Sequence, residues 1–180
     1  FVENHDEQRA AAVFPLPKER AAAVTMATLP GARLLHEGQL EGRLIRVPVF
    51  LRRRAAEPVN QPIQDFYSKL LQIIDAPAFT EGKWSRCHCT GWPDNSTYQN
   101  LLSWSWSKDS DRYLVVINFS DSPAQGRVQV PWAEVQGKTW CLLDLFSGDT
   151  YERSGAEMRD PGLYVGLRPW GYHFFRSISS

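Results

Sequence analysis

No run of apolar residues in this sequence approaches the roughly 18 that a membrane-spanning helix requires, so the stretch itself is expected to be soluble. Charge of one sign is also missing. Basic and acidic residues balance at 20 each, so there is no overall electrostatic case for nucleic acid as a partner. Cysteine is scarce and odd in number: Cys87, Cys89 and Cys141. Three thiols do not make a disulfide framework and fit a reducing compartment, so the expected location is cytoplasmic, with no membrane partner. Cys87-His88-Cys89 brings three metal-type ligands together. A structural zinc site wants a second ligand pair, which is absent, and the expectation is free thiols and no metal. No internal repeat and no low-complexity tract is present.

What remains has two textures. Up to about residue 76, short strand-like pieces alternate with helices. Phe1-Val2 reads as the end of a buried strand, followed at once by polar groups. Pro17 to Gly31 reads as a helix, with Pro17 in the first turn, abundant Ala, and Pro30-Gly31 as the stop. Ala32 to Gly38 is a second strand-like piece. In NQPIQDFYSKLLQIIDAP, residues Ile63, Phe66, Tyr67, Leu70, Leu71 and Ile74 fall on one helical face, with Asn60 as the N-cap and Pro77 as the stop. Strand, helix, strand, helix is the rhythm of a parallel α/β unit, and such a sheet needs both faces covered.

After about residue 80 only strands and turns remain. Leu102, Trp104 and Trp106 alternate with Ser103, Ser105 and Ser107, and the stretches RYLVVINFS, GRVQVP, KTWCLLDLFSG, DTYERS, GLYVGL and GYHFFRS follow between turns. This spacing predicts an antiparallel sandwich, with Trp104 and Trp106 lining its core. The boundary falls near residues 76 to 84.

The opening stretch FVENHDEQR places His5 and Asp6 at the carboxyl end of the first strand. On that face of an eight-stranded α/β barrel, an Asp stabilises developing positive charge and a His donates to a sugar hydroxyl. Arg9 is near enough to pair with a carboxylate and set its orientation. The alternative is that Asn4, His5 and Asp6 merely cap the next helix. A metal-dependent phosphohydrolase also uses a His-Asp pair, but it needs further ligands, and His36, His88 and His173 lie in unsuitable surroundings. Trp92, in the turn-rich GWPDNS, is the candidate sugar platform. Asn95-Ser96-Thr97 is a glycosylation sequon, relevant only to a secreted eukaryotic chain. The Arg52 to Arg54 run is read as a solvated face rather than a contact for a phosphorylated sugar.

FVENHD resembles the fourth conserved region of the α-amylase family of glycoside hydrolases and transglycosidases. ATLPGARLLHEGQ is similar to that family's passage from the seventh helix into the eighth barrel strand, and PIQDFYSKLLQII is similar to its eighth helix. YLVVINFSDSP and LRPWGYHFF resemble strands of its carboxy-terminal sandwich. The order is preserved along nearly the whole chain. The resemblance implies an α/β plus all-β fold: residues 1–78 as the last two βα units of a (β/α)8 barrel, and residues 79–180 as an antiparallel β-sandwich. It implies a fragment whose partner is the missing amino-terminal part of its own barrel.

The resemblance also implies a retaining enzyme acting on an α-glucan or maltooligosaccharide by hydrolysis or transfer. Asp6 would be the transition-state-stabilising carboxylate, and His5 and Arg9 would be substrate-binding. The nucleophile and the acid would lie upstream, leaving the chain inactive alone. No cofactor is expected within this segment, and calcium is a question for the complete enzyme. One departure is visible: where the family often has Gly-Gln-Glu-x-Gly, this chain has Gly38-Gln39-Leu40-Glu41-Gly42. The alternative reading is a non-catalytic sugar-binding or scaffold relative.

Overall fold

A computed structural model describes residues 1–51 and 53–178. Of the expected Arg52 to Arg54 face, Arg52 therefore lies outside the described residues. The chain divides into two compact units, the first Phe1–Asp75 and the second beginning at Ala76. No helix among the described residues is long and apolar enough to cross a membrane.

The first unit contains α1 (Ala10–Val13), α2 (Leu16–Thr28) and α3 (Gln61–Ile74). Helix α2 starts with Pro17 in its first turn, where a missing N–H costs nothing. Its buried positions are mostly small, Ala21, Ala23, Val24 and Ala27, which lets α3 approach closely. Arg20 bridges the two helices, donating to the Pro62 carbonyl at 3.2 Å and lying 5.4 Å from the Phe66 ring. Helix α3 buries Ile63, Phe66, Tyr67, Leu70 and Ile74, the face expected from the spacing, with Leu71 half-buried at its edge. Asn60 occupies the N-cap, but its side chain makes no capping bond; its carbonyl accepts from Ile63 and Gln64 instead.

The strands expected at Phe1-Val2 and Ala32–Gly38 do not form. Among the described residues of this unit there is no β-ladder at all. A strand is held by hydrogen bonds to a neighbour. These two segments carry the apolar composition of strands but find no backbone partner, so the barrel βα units read from the sequence are not reproduced.

The second unit opens with α4 (Ala78–Glu81) and then runs through β1 (Lys83–Arg86), β2 (His88–Thr90), β3 (Leu101–Lys108), β4 (Asp111–Asn118), β5 (Ala124–Gln129), β6 (Thr139–Asp144), β7 (Thr150–Ser154), β8 (Leu163–Leu167) and β9 (Tyr172–Ile178). One sheet has six strands in the order β1-β3-β4-β9-β6-β7; the other has three, β2-β5-β8. Every pairing is antiparallel. This is the sandwich expected from the alternation. Strands β5 and β8 bury every second residue, sending Val128, Leu163 and Val165 inward against Leu114, Leu142 and Phe175 of the larger sheet. Trp132 and Trp140 meet in the same cluster at 4.9 Å.

Trp104 and Trp106 are buried as expected, but not between the sheets. The inward-facing residues of β3 are Leu101, Ser103 and Ser105, and the Ser103 hydroxyl donates to the Val115 carbonyl at 2.9 Å. The tryptophans take the opposite face of the larger sheet. There Phe79 of α4 packs against Trp106, Tyr113 and Phe174 at ring separations of 5.8, 4.8 and 5.7 Å. These contacts attach α4 to the second unit, which begins at Ala76.

Phe79 is 2% exposed and touches three other rings, so Phe79→Ala removes a buried aromatic without a replacement. The expected cost is about 3–5 kcal/mol, visible as a lower denaturant midpoint for the second unit. A loss below about 1 kcal/mol would show that α4 is dispensable to the sheet face.

Candidate active-site strap

His5 and Asp6 sit on a short turn built by Asn4. The Asn4 carboxamide oxygen accepts from the N–H groups of Asp6 at 2.8 Å and Glu7 at 3.0 Å. This local bond turns the chain immediately after the apolar start, as Asn side chains do. The turn displays both residues: the side chains of His5 and Asp6 are 60% and 72% exposed, with His5 Nε2 at 3.3 Å from Asp6 Oδ2. A carboxylate beside an imidazole, both open to solvent, can accept from and donate to adjacent hydroxyls of one polyol.

Arg9 is not brought to the surface with them. It is 3% exposed, and the carboxylate it pairs with is Glu3, at 3.0 Å. Its guanidinium also donates to the carbonyls of Glu37 at 2.9 Å and Arg43 at 3.4 Å. The other oxygen of Glu3 accepts from the Ala10 N–H at 2.6 Å, at the start of α1. Glu3 and Arg9 thus fasten the two ends of the segment that carries His5 and Asp6. Gly38 makes room for this. Its φ is +82°, and a Cβ there would lie 2.7 Å from the Arg43 side chain and 2.8 Å from Arg9 Nη2.

Further polar groups surround the pair. Gln39, 1% exposed, donates to the Tyr67 hydroxyl at 2.9 Å and accepts from the His36 N–H. Burial holds the Tyr67 hydroxyl well above its usual pKa. Arg46 donates to the His5 carbonyl at 3.2 Å, so the Arg-rich loop reaches the strap through its backbone. Arg54 pairs with Glu37, and Arg43 with the Glu57 carbonyl. Glu19 of α2 is 2% exposed. Its burial, reinforced by the nearby Glu3 charge and opposed by Arg20, raises its pKa to about 7.

Glu3, Glu19 and Arg46 were not singled out in the sequence. Glu3 left one signal: a carboxylate inside an otherwise apolar strand-like opening, where a buried partner is required. Among the described residues, no group of three or more His, Cys, Asp or Glu is placed to hold a metal ion. Cys87 lies in the sandwich core and Cys89 beside it, and burial raises their thiols to about 12 and about 11. All three cysteines are free.

No family model matches this sequence, and no curated protein matches it. Solved structures do. A maltogenic α-amylase of Thermotoga neapolitana superposes with a TM-score of 0.78 at 16% identity, over 99% of this chain and 40% of that one. An α-amylase of Anoxybacillus gives 0.73 at 14% identity, over 99% and 37%. The α-amylase of Geobacillus thermoleovorans, complexed with acarbose, gives 0.73 at 13%, over 100% and 38%. The fold is shared with α-amylases. At these identities the likeness concerns fold, and the chain spans about 40% of the length of the first of these enzymes.

The Glu19 carboxyl makes the first unit sensitive to pH. Its pKa is raised on folding, so its favourable contribution is complete below about 4.5 and is lost as pH rises through about 7. The thermal midpoint is expected to fall between pH 5 and pH 8, and Glu19→Gln, which keeps the shape without the charge, is expected to flatten that fall. Parallel pH profiles for the two proteins would show that Glu19 is not the group responsible.

Proposed function

We propose that this chain is the carboxy-terminal part of a retaining glycosidase or transglycosidase acting on α-glucans. Asp6 is the carboxylate that favours the transition state over the bound substrate, and His5 hydrogen-bonds the sugar at the cleaved linkage. The observation that carries the reading is the strap itself. Two side chains with suitable chemistry project into solvent, while the residues on either side of them are anchored by a buried ion pair. The fold shared with several α-amylases supports it.

Arg9 has its place in this reading beneath the strap. A buried guanidinium bonded to Glu3 and two carbonyls restricts where Asp6 can go, so Arg9 acts as a positioning residue. A retaining mechanism uses two further carboxyl groups, a nucleophile and an acid, which the proposal assigns to the part of the enzyme outside this chain. The chain alone is accordingly expected to bind sugar without turning it over.

In the complete enzyme, Asp6→Asn is expected to lower kcat by about 100-fold or more while leaving KM within a few-fold, because the interaction lost belongs to the transition state. Steady-state kinetics on maltooligosaccharides measure both. A variant with unchanged kcat and a raised KM would assign Asp6 to substrate binding only. A parent protein with no turnover at all would favour the sugar-binding relative instead.

A further inference from the structure

The outer face of the three-stranded sheet has a composition that packing does not account for. Its strands pair so that Thr90, Arg127 and Tyr164 form one row across the sheet, with Gln125 and Gly166 opposite each other in the next row. The inward residues of these strands are the apolar ones already described. The outward ones are Tyr164, 52% exposed, the exposed His88, and half-buried Thr90, Gln125, Arg127 and Gln129. A sheet face left to water usually carries charged residues. This one carries an aromatic ring among amides, with one guanidinium and one imidazole.

The turn after β2 completes the face. Trp92 and Asn95 bridge each other, and the Trp92 ring meets Tyr164 edge-on at 6.1 Å. Arg127 lies 5.2 Å from the Trp92 ring centre, which holds both side chains against the sheet. The Tyr164 hydroxyl donates to the Gln125 carboxamide oxygen at 3.0 Å, which fixes the phenol ring against that carboxamide. Gly166 leaves bare backbone beside that ring. The three atoms nearest a Cβ there would all belong to Tyr164, with the hydroxyl oxygen 3.1 Å away. Next to this notch lies a cavity of about 350 Å3 lined by Asn95, Thr97, Gln125 and Gly166 together with the apolar Pro123, Ala124 and Leu167. The Asn95 carboxamide oxygen accepts from both the N–H and the hydroxyl of Thr97, at 3.0 and 2.7 Å, which orients its NH2 group as well.

We infer that this face binds a neutral oligosaccharide, one pyranose ring lying on Tyr164 and its neighbour occupying the Asn95–Gln125 notch. The chemistry selects the ligand class. A pyranose offers an apolar C–H face to an aromatic ring and hydroxyls to carboxamides. Arg127 is already set against Trp92, and the residues lining the notch carry no charge, so an uncharged ligand suits them. The ring orientations are set by contacts already present, so little side-chain entropy is lost on binding. That the sugar is an α-glucan rests on the function proposed above. That it is an oligosaccharide rests on the face alone.

The test is titration of the full chain with maltoheptaose, and separately with cellohexaose, following Trp fluorescence and the NMR signals of Trp92, Tyr164 and Gln125. Maltoheptaose is expected to perturb these residues. Tyr164→Ala, a change at a half-exposed ring, is expected to weaken that binding about tenfold, equivalent to 1.4 kcal/mol. Tyr164→Phe keeps the ring, loses the bond to Gln125, and is expected to fall between the two. Asp6→Asn is expected to leave binding at this face unchanged, which separates it from sugar held at the strap. Binding of cellohexaose in place of maltoheptaose, with the same loss in Tyr164→Ala, would uphold the face and overturn the α-glucan reading. No perturbation of these residues by either sugar, or binding indifferent to Tyr164→Ala, would overturn the inference.

Discussion

Backbone hydrogen-bond pairing is the constraint on which both units turn. Each extended segment must find a neighbour for its N–H and C=O groups, and antiparallel neighbours are easily supplied by the next stretch of the same chain. Among its described residues the second unit makes seven such pairings, two of them (β3 with β4, β6 with β7) between consecutive strands and the rest between strands farther apart in the chain, and its register follows. Once β3, β4 and β9 pair side by side, alternate residues must go inward, and the sandwich core of Leu114, Val116 and Phe175 assembles from that alternation. The first unit has apolar strand-like segments of its own, yet none is paired among the described residues. Its order comes from helix packing and from buried side-chain bonds.

Chief among those is the Glu3–Arg9 pair. An ion pair at 1% and 3% exposure contributes little net stability, because both ions lose water on burial. Its effect is geometric. With Ala10 held by one oxygen of Glu3 and Arg9 by the other, the intervening residues are tethered at both ends, and Asn4 bends them outward. Glu19 is another carboxyl in the same buried region, and its burial outweighs the opposing charge of Arg20, so its proton stays to about neutral pH. Gly38 and Gln39 belong to the same arrangement, the first by giving Arg9 space and the second by binding Tyr67.

The two sheets of the second unit use their outer faces differently. The larger sheet carries Trp106, Tyr113 and Phe174, covered in part by Phe79. The smaller sheet keeps Tyr164 half-exposed beside amides and a notch at Gly166. Aromatic residues occur on both, so their number along the chain does not separate structural from binding roles. Their exposure and the polarity of their neighbours do.

Local pattern was enough for much of this. The helix face from Ile63 to Ile74 and the alternating strands after residue 100 were readable because periodicity reports directly which side of an element is apolar. The His5-Asp6 pair stood out as a short motif, and the structure shows the two side chains exposed side by side on one turn. Other features depended on partners distant in sequence. Whether Phe1-Val2 and Ala32–Gly38 become strands depends on neighbours, which composition does not reveal. Alternation at Trp104 and Trp106 separates two faces without saying which one meets the other sheet. Nor does a motif show that Arg9 turns inward to Glu3 and Gly38, or that Trp92 and Tyr164, 72 residues apart, share a surface. The sequence by itself determined the periodicity and chemistry of each segment, because these are properties of neighbouring residues. Pairing, burial and the company each side chain keeps were decided by the tertiary structure, because they exist only once distant segments meet.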